Sequence, residues 1–323
     1  KEHTVTVVDA FEAEEANYTF EEGLTHSRDF STAQFRAAKR AAKQADVVVY
    51  VAGEEAILSG EAHSRAEIDL PGAQEALLDE LVATGKPVIL VIMAGRPITI
   101  YDYVDEVDAG LMTWHPGTMG GPAIYDMLFG EVEPEGRLPV TWPKSSGQSP
   151  IYYNHKNTGR PADSTSFVQM YDIPIEAWQS SLGNNSHYLD FGFTPHYPFG
   201  YGLGYTKFEY SDLNIESKEV NKDGTVTASV TVKNTGSRKG SEVVQLYIQD
   251  VTASTTRPVK ELKAFEKVTI KSGESQTITL SFPVEDLSFI GADLERHLEA
   301  GTFNLWMGPN AMFGLKGSFE LVD

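Results

Sequence analysis

Hydrophobic positions in the first 130 residues follow two alternating patterns. DVVVYVAG (Asp46 to Gly53) and KPVILVIMAG (Lys86 to Gly95) are continuous, β-branched apolar runs, the pattern of strands covered on both faces in a parallel sheet. TAQFRAAKRAAKQA (Thr32 to Ala45) is rich in good helix formers, and GAQEALLDELVAT is opened by Pro71 and stopped by Gly85. Strand, helix and strand in that order predict a βαβ unit. DAGLMTWHPG (Asp108 to Gly117) predicts a third strand running into a loop, and GGPAIYDMLFG (Gly120 to Gly130) a helix with its terminating glycine. An open α/β sheet follows, with the loops at the carboxyl ends of its strands as the functional edge.

From Gly130 to about Tyr205 the periodicity gives way to Pro, Gly, Ser, Asn and aromatic residues, as in IYYNHKNTGRP and HYPFGYGLGYT. A free linker would be poor in aromatics, so an ordered connector packed across both domains is expected. Beyond Thr206, short alternating segments recur: Thr225 to Gly236, Ser241 to Asp250, Lys260 to Ile270, Ser275 to Val284 and Thr302 to Gly308. Turn-punctuated strands spaced by about 8 to 12 residues predict an antiparallel sandwich of immunoglobulin or fibronectin type III kind. The expected organisation is an α/β sandwich over residues 1–165, an aromatic and Gly-rich connector over 166–205, and a β-sandwich over 206–323.

Composition narrows the classes of function. The chain has 323 residues, 41% of them hydrophobic, and a formal charge of −20 from 46 acidic and 26 basic side chains. That balance repels phosphate backbones and anionic headgroups, so neither nucleic acid nor a membrane is expected as partner. With no cysteine, thiolate nucleophiles, disulfides and cysteine zinc sites are excluded. No apolar run reaches the roughly 18 to 20 residues of a membrane span, and KEHTVTVVDAFEAEE lacks the features of a signal peptide, so either the chain is mature or its front is missing.

Candidate chemistry concentrates after the first strand. SGEAHSR (Ser59 to Arg65), followed at once by AEIDLPG, puts Glu61 in a Gly-flanked loop between strand and helix, where a mobile carboxylate can reach a substrate. Glu54 and Glu55 follow the strand directly; Glu54 is the second candidate, and the bland reading of both is a charged strand end in water. His63 could orient Glu61 or contact a hydroxyl, although an exposed loop histidine is the commoner case. Arg65, with its fork of donors, is assigned to loop architecture. Trp114 could stack on a sugar ring, but beside a Gly-rich turn it reads as a packing residue. GTMGG lacks the lysine of a phosphate loop, and Asp102, Asp105, Glu106 and Asp108 lack the spacing of a calcium loop, so no metal or cofactor is expected. The tyrosine clusters at Tyr152 and Tyr153 and from Tyr197 to Tyr205 read as an interdomain seam.

Several long motifs in one order resemble the C-terminal half of glycoside hydrolase family 3, with its bacterial periplasmic β-glucosidases as the nearest pattern. They are SGEAHSR with IDLPG, GKPVILVIMAGRP (Gly85 to Pro97), WHPGTMGGPAIYDMLFGEVEPEGRLPVTWP (Trp114 to Pro143), IYYNHKNTGRP (Ile151 to Pro161), YPFGYGLGYT (Tyr197 to Thr206) and RPVKELKAFEKV (Arg257 to Val268). The resemblance implies a β/α barrel, an α/β sandwich and a fibronectin type III-like domain in succession, with the barrel absent from this chain and supplied by the same or a separate polypeptide. It implies an exo-acting, cofactor-free, retaining β-glycosidase, a β-glucosidase first and a β-xylosidase next, periplasmic or secreted, acting on a β-linked oligosaccharide or an aryl or alkyl β-glycoside. The barrel would supply the nucleophilic aspartate, and Glu61 the general acid/base, where the family's Asp-Arg pair is replaced by Ser64-Arg65. A homodimer is compatible with this reading. The alternative is a non-catalytic carbohydrate-associated binding or scaffold module.

Overall fold

In a computed structural model, residues 3–180 and 182–323 are described. They divide into two compact units, Lys1–Val132 with Pro143–Ser149, and Glu133–Trp142 with Pro150–Asp323.

The first unit holds a three-stranded, all-parallel sheet ordered β1(Val48–Gly53), β2(Val88–Met93), β3(Ala109–Met112), with Val48 opposite Val88 and Ile89 opposite Ala109. Its helices are α1(Val7–Ala13), α2(Phe35–Gln44), α3(Gln74–Val82) and α4(Gly120–Leu128). β1, α3 and β2 form the expected βαβ unit, and Val88, Leu90, Val91, Ile92, Leu77 and Leu78 are buried. The apolar run around β2 is therefore unbroken because both of its faces are covered. The third helix starts at Gln74 rather than Pro71, because Gly72 takes a left-handed φ of 69° that no helix interior accepts. Thr6 and Asp9 close a reciprocal capping box at α1, which compensates for the shortness of that helix.

Gly53, at the carboxyl end of β1, has φ of 140°, and a Cβ there would lie 1.9 Å from the Met93 carbonyl oxygen. Its N–H donates to the Gln74 side chain (2.7 Å), whose Nε2 donates back to the Gly53 carbonyl (2.8 Å). The missing side chain lets the end of β1 lie against Met93 of β2, and Gln74 at the start of α3 holds the same residue by both its polar groups.

The second unit contains a five-stranded sheet in the order β5(Glu219–Asn221), β13(Leu315–Val322), β12(Gly301–Gly308), β7(Gly240–Asp250), β8(Glu261–Ile270). A three-stranded sheet of β4(Phe208–Ile215), β6(Thr225–Asn234) and β9(Ser275–Pro283) accompanies it, and β10(Phe289–Ile290) pairs with β11(Arg296–His297). Pairing is antiparallel except between β13 and β5. The inward positions of β6, Val226, Ala228, Val230 and Val232, join Val244, Leu246, Ile248, Leu305, Met307 and Phe319 in one core. Residues 150–205 are mostly irregular yet packed: Tyr153 stacks on Phe199 (4.3 Å between centroids) and meets Tyr247 edge-on, while Tyr197 stacks on Tyr201.

One buried ion pair in this unit gives a pH signature. Glu242, on β7, faces Arg137 at 3.3 Å with both side chains less than a tenth exposed. Burial pushes the Glu242 carboxyl above its ordinary value, partly offset by Arg137. A carboxyl raised on folding binds more protons in the folded than in the unfolded chain, so its contribution is fullest at low pH and is lost as pH rises through the raised value. The stability of the native chain relative to Glu242→Gln is therefore expected to fall as pH rises above the ordinary carboxylate range of about 4, as read from urea unfolding midpoints. A difference that grows with pH would show that Arg137 outweighs burial.

Candidate functional site

Three strand ends and the loops that leave them build the site. Glu54 follows β1 directly, and its N–H donates to the Met93 carbonyl (2.8 Å), so β2 continues to hold the chain one residue past the strand. Its side chain is 0% exposed and receives three donors. Arg65 Nη1 reaches Oε1 at 2.7 Å, Arg96 Nε reaches Oε2 at 2.9 Å, and Ser59 Oγ donates to Oε2 at 3.2 Å. A carboxylate this deep is tolerated because two guanidiniums neutralise it and its lone pairs are occupied.

Glu55 turns the other way. Arg28 Nε and Ser27 Oγ, each at 2.8 Å, bind its carboxylate, and these hydrogen bonds, Arg28 first, hold the group down to about 2. Both acids after the strand are thus held by arginines.

Beyond them a 3₁₀ turn, Ala56–Ser59, leads to Gly60 and Glu61. Glu61 is exposed and makes no hydrogen bond or ion pair among the described residues. Ala62 beside it adopts a left-handed φ of 64°, the reversal that turns the chain at the loop's tip. His63 folds back so that its Nδ1 lies 2.5 Å from the Ile57 carbonyl, which makes Nδ1 the donor. Arg65 closes the loop from below: besides Glu54 it donates to the Asp69 carbonyl and carboxylate, both at 2.8 Å. Asp69, four residues on, therefore supplies a carboxylate partner for the arginine of Ser64-Arg65.

Trp114 follows β3 with a left-handed φ of 52° and is half-buried; His115 after it is exposed. A Cβ on Gly95 would lie 2.6 Å from His115 Nε2 and 2.7 Å from Ser59 Oγ, so the bare glycine lets the loops after β1 and β3 meet over the end of β2. Glu54, Ser59, Arg65, Gly95, Arg96 and His115 are brought together; Glu61 stands out from them toward solvent. Asp108, one of the acids in YDYVDEVD, accepts the Val88 N–H at 2.9 Å and serves the sheet. A cavity of about 280 Å³ lies beside β1, lined by Ser27, Tyr50, Glu54, Glu55 and Gln74 among others, and Glu61, His63 and Trp114 do not border it. Among the described residues no group of three or more His, Asp or Glu side chains is placed to hold a metal ion, and no helix is long and apolar enough to cross a membrane.

Sequence reasoning missed Arg96 and Ser59. Arg96 stands 42 residues from Glu54, and the single signal for it was a cation placed directly after the glycine that ends an apolar strand.

The molecule thus combines an α/β layer, carrying an exposed glutamate on a loop braced by arginines, with a fibronectin-like β-sandwich. Residues 1–205 match the glycosyl hydrolase family 3 C-terminal domain and residues 242–311 a fibronectin type III-like domain. The chain belongs to glycoside hydrolase family 3. It is 44% identical over 303 residues, 94% of its length, to a periplasmic β-glucosidase of Salmonella typhimurium, and 37% identical over 286 residues, 87% of its length, to a putative β-xylosidase of Formosa agariphila. It covers 38% and 35% of those proteins, so it spans little more than a third of the curated relatives it matches. Among solved structures, a β-glucosidase from Listeria innocua superposes with a TM-score of 0.88 at 37% identity, over 99% of this chain and 42% of that one. A mutant of the Listeria enzyme has been solved in complex with laminaribiose, and it matches with a TM-score of 0.87 at 36% identity, over 100% of this chain and 42% of that one.

Proposed function

We propose that this chain supplies the general acid/base, Glu61, of a retaining exo-β-glycosidase, with β-glucosides as substrates and a β/α barrel on the same or a separate polypeptide supplying the nucleophilic aspartate. The observation that carries the reading is the contrast among three neighbouring glutamates. Glu54 and Glu55 are fixed by arginines, whereas Glu61 is exposed, unpaired among the described residues and held at the tip of a braced loop. An acid/base must give up and regain a proton within one turnover, which a carboxylate locked by two guanidiniums does poorly.

In the first step Glu61 donates its proton to the glycosidic oxygen as the aspartate attacks the anomeric carbon, and the aglycone leaves as an alcohol. In the second, the Glu61 carboxylate takes a proton from water, the water oxygen bonds to the anomeric carbon, and the aspartate is released; two inversions leave the β configuration. No metal or organic cofactor enters either step. The names of the relatives support glucosides first, and the putative β-xylosidase of Formosa agariphila supports xylosides as the second reading. The Salmonella relative's name supports a periplasmic or secreted setting.

The test uses the enzyme completed by its barrel half. Glu61→Ala removes the base that activates water, so azide, which needs no deprotonation, is expected to restore turnover of an activated aryl β-glucoside and to yield the β-glucosyl azide. Absence of that product from Glu61→Ala, or its appearance from Glu54→Ala instead, would overturn the assignment.

A further inference from the structure

We infer that Arg96 is a positioning residue: its guanidinium clamps the neck of the Glu61 loop and so sets where the carboxylate stands. The inference rests on the acid/base reading of Glu61 for its catalytic consequence, but the clamp itself is a matter of geometry. Arg96 leaves the end of β2, and its Nε is fixed at 2.9 Å by the buried Glu54 carboxylate. Its Nη2 donates to two backbone carbonyls, those of Leu58 and His63, the latter at 3.2 Å. These two residues bracket Glu61 in the chain, so a single nitrogen gathers both legs of the loop to one point.

Arg96 shares the loop with few other contacts among the described residues. The backbone hydrogen bonds between Glu55 and Arg65 are Leu58 N–H to the Glu55 carbonyl and His63 N–H to the Gly60 carbonyl, both 2.9 Å, and the side chains add His63 Nδ1 to the Ile57 carbonyl and Ser59 Oγ to Glu54. The left-handed Ala62 next to Glu61 is a conformation that a side-chain-bearing residue keeps only when its surroundings impose it. Glu54 contributes by orienting the clamp: Arg65 binds its other oxygen at 2.7 Å, and the carboxylate plane is thereby set from both sides. Gly95, with Ser59 and His115 where its Cβ would be, lets the arginine-bearing turn sit this close to the loop.

A planar fork is required for this arrangement. Lysine would keep the charge near Glu54, but its ammonium is a single point that cannot hold the carboxylate along one edge and two carbonyls from another nitrogen. Arg96→Lys therefore separates charge from clamping, and Arg96→Met removes both.

The first measurement is residue-resolved hydrogen exchange on the 323-residue chain. In Arg96→Lys, which keeps a cation beside Glu54, the amides of Leu58 and His63 are expected to exchange about tenfold faster or more, while the buried β2 amide of Val91 and the melting temperature stay near native values; Arg96→Met also takes a cation from the buried Glu54 and is expected to speed Val91 exchange as well. In Arg96→Ala, guanidinium chloride well below denaturing concentrations is expected to restore the loop's protection. Unchanged loop exchange in all variants, or equal acceleration of the loop and β2 in Arg96→Lys, would overturn the clamp, the second because it shows general support of the fold.

The second measurement, on the completed glycosidase, carries the catalytic consequence. Arg96→Lys is expected to lower kcat/KM for alkyl or sugar leaving groups by about 10- to 10²-fold and to lower the dinitrophenol burst rate of a dinitrophenyl glycoside far less, while kcat falls for both because the same glutamate serves the second step. A native kcat on both substrate classes overturns the positioning role. A loosened loop in Arg96→Lys together with a Glu61→Gln variant that shows no leaving-group dependence leaves the clamp standing and removes Glu61 from its proposed role.

Discussion

Glu61→Gln in the completed enzyme is expected to slow hydrolysis of β-glycosides with poor leaving groups by about 10²- to 10⁴-fold, the range associated with loss of a general acid, or about 3 to 5.5 kcal/mol of transition-state stabilisation. Departure of an alkoxide without a proton is the difficult event, so the loss should grow with the pKa of the leaving alcohol. A dinitrophenolate leaves unaided; for that substrate the first step should be nearly native, and the glycosyl-enzyme should accumulate because the same glutamate no longer activates water. A burst of dinitrophenol followed by a slow steady state is the kinetic form of this result. Equal, small losses on both substrates would redirect attention to Glu54. Folding should not complicate the comparison: Glu61 is exposed and has no partner among the described residues, so stability should stay within about 0.5 kcal/mol of native.

The elements that build this site differ in how far the sequence reveals them. β2 is legible because a strand covered on both faces admits only apolar side chains, and VILVIM is such a run; β1 carries a similar run, VVVYVA, although as an edge strand it leaves Val51 41% exposed. β6 and β9 are legible for the opposite reason, a strict alternation that matches one buried and one solvated face. β4 escaped notice: its register shifts between Ser211 and Asn214, with Asp212 at a left-handed φ of 54°, and the bulge breaks the alternation that marks a strand. β13 escaped as well, since Gly317 interrupts it; a Cβ there would lie 2.7 Å from the Ile215 side chain.

Glu61 itself was visible through motif and loop position. The network beneath it was not: Glu54, Ser59, Arg65 and Arg96 are scattered over 43 positions, and only the parallel pairing of β1 with β2 brings Arg96 beside Glu54. Local pattern reports which residues are apolar and where the chain turns. It does not report which of several charged residues at strand ends will be buried together, because that depends on pairing between segments distant in the chain.

Burial of that network sets the largest stability effect expected in the first unit. Glu54→Gln preserves shape but removes the single negative charge facing two guanidiniums. The side chain is 0% exposed, and removing one partner of a buried ion pair costs about 3 to 5 kcal/mol. Arg65 and Arg96 are 19% and 18% exposed, so water relieves part of their mutual repulsion, and the expected loss is at the lower end, about 3 kcal/mol. It should appear as a lower urea midpoint for exchange of the Val91 amide in β2, with the core of the second unit, such as Val230 in β6, unaffected. Glu61→Gln should leave both midpoints unchanged. If Glu54→Gln also leaves them unchanged, the backbone carbonyls and the Asp69 carboxylate suffice to hold the arginines, and Glu54 would no longer be committed to structure. If the midpoint falls as expected, the two neighbouring glutamates have divided their work by burial: one is spent on fixing the loop, and the other is left free to move a proton.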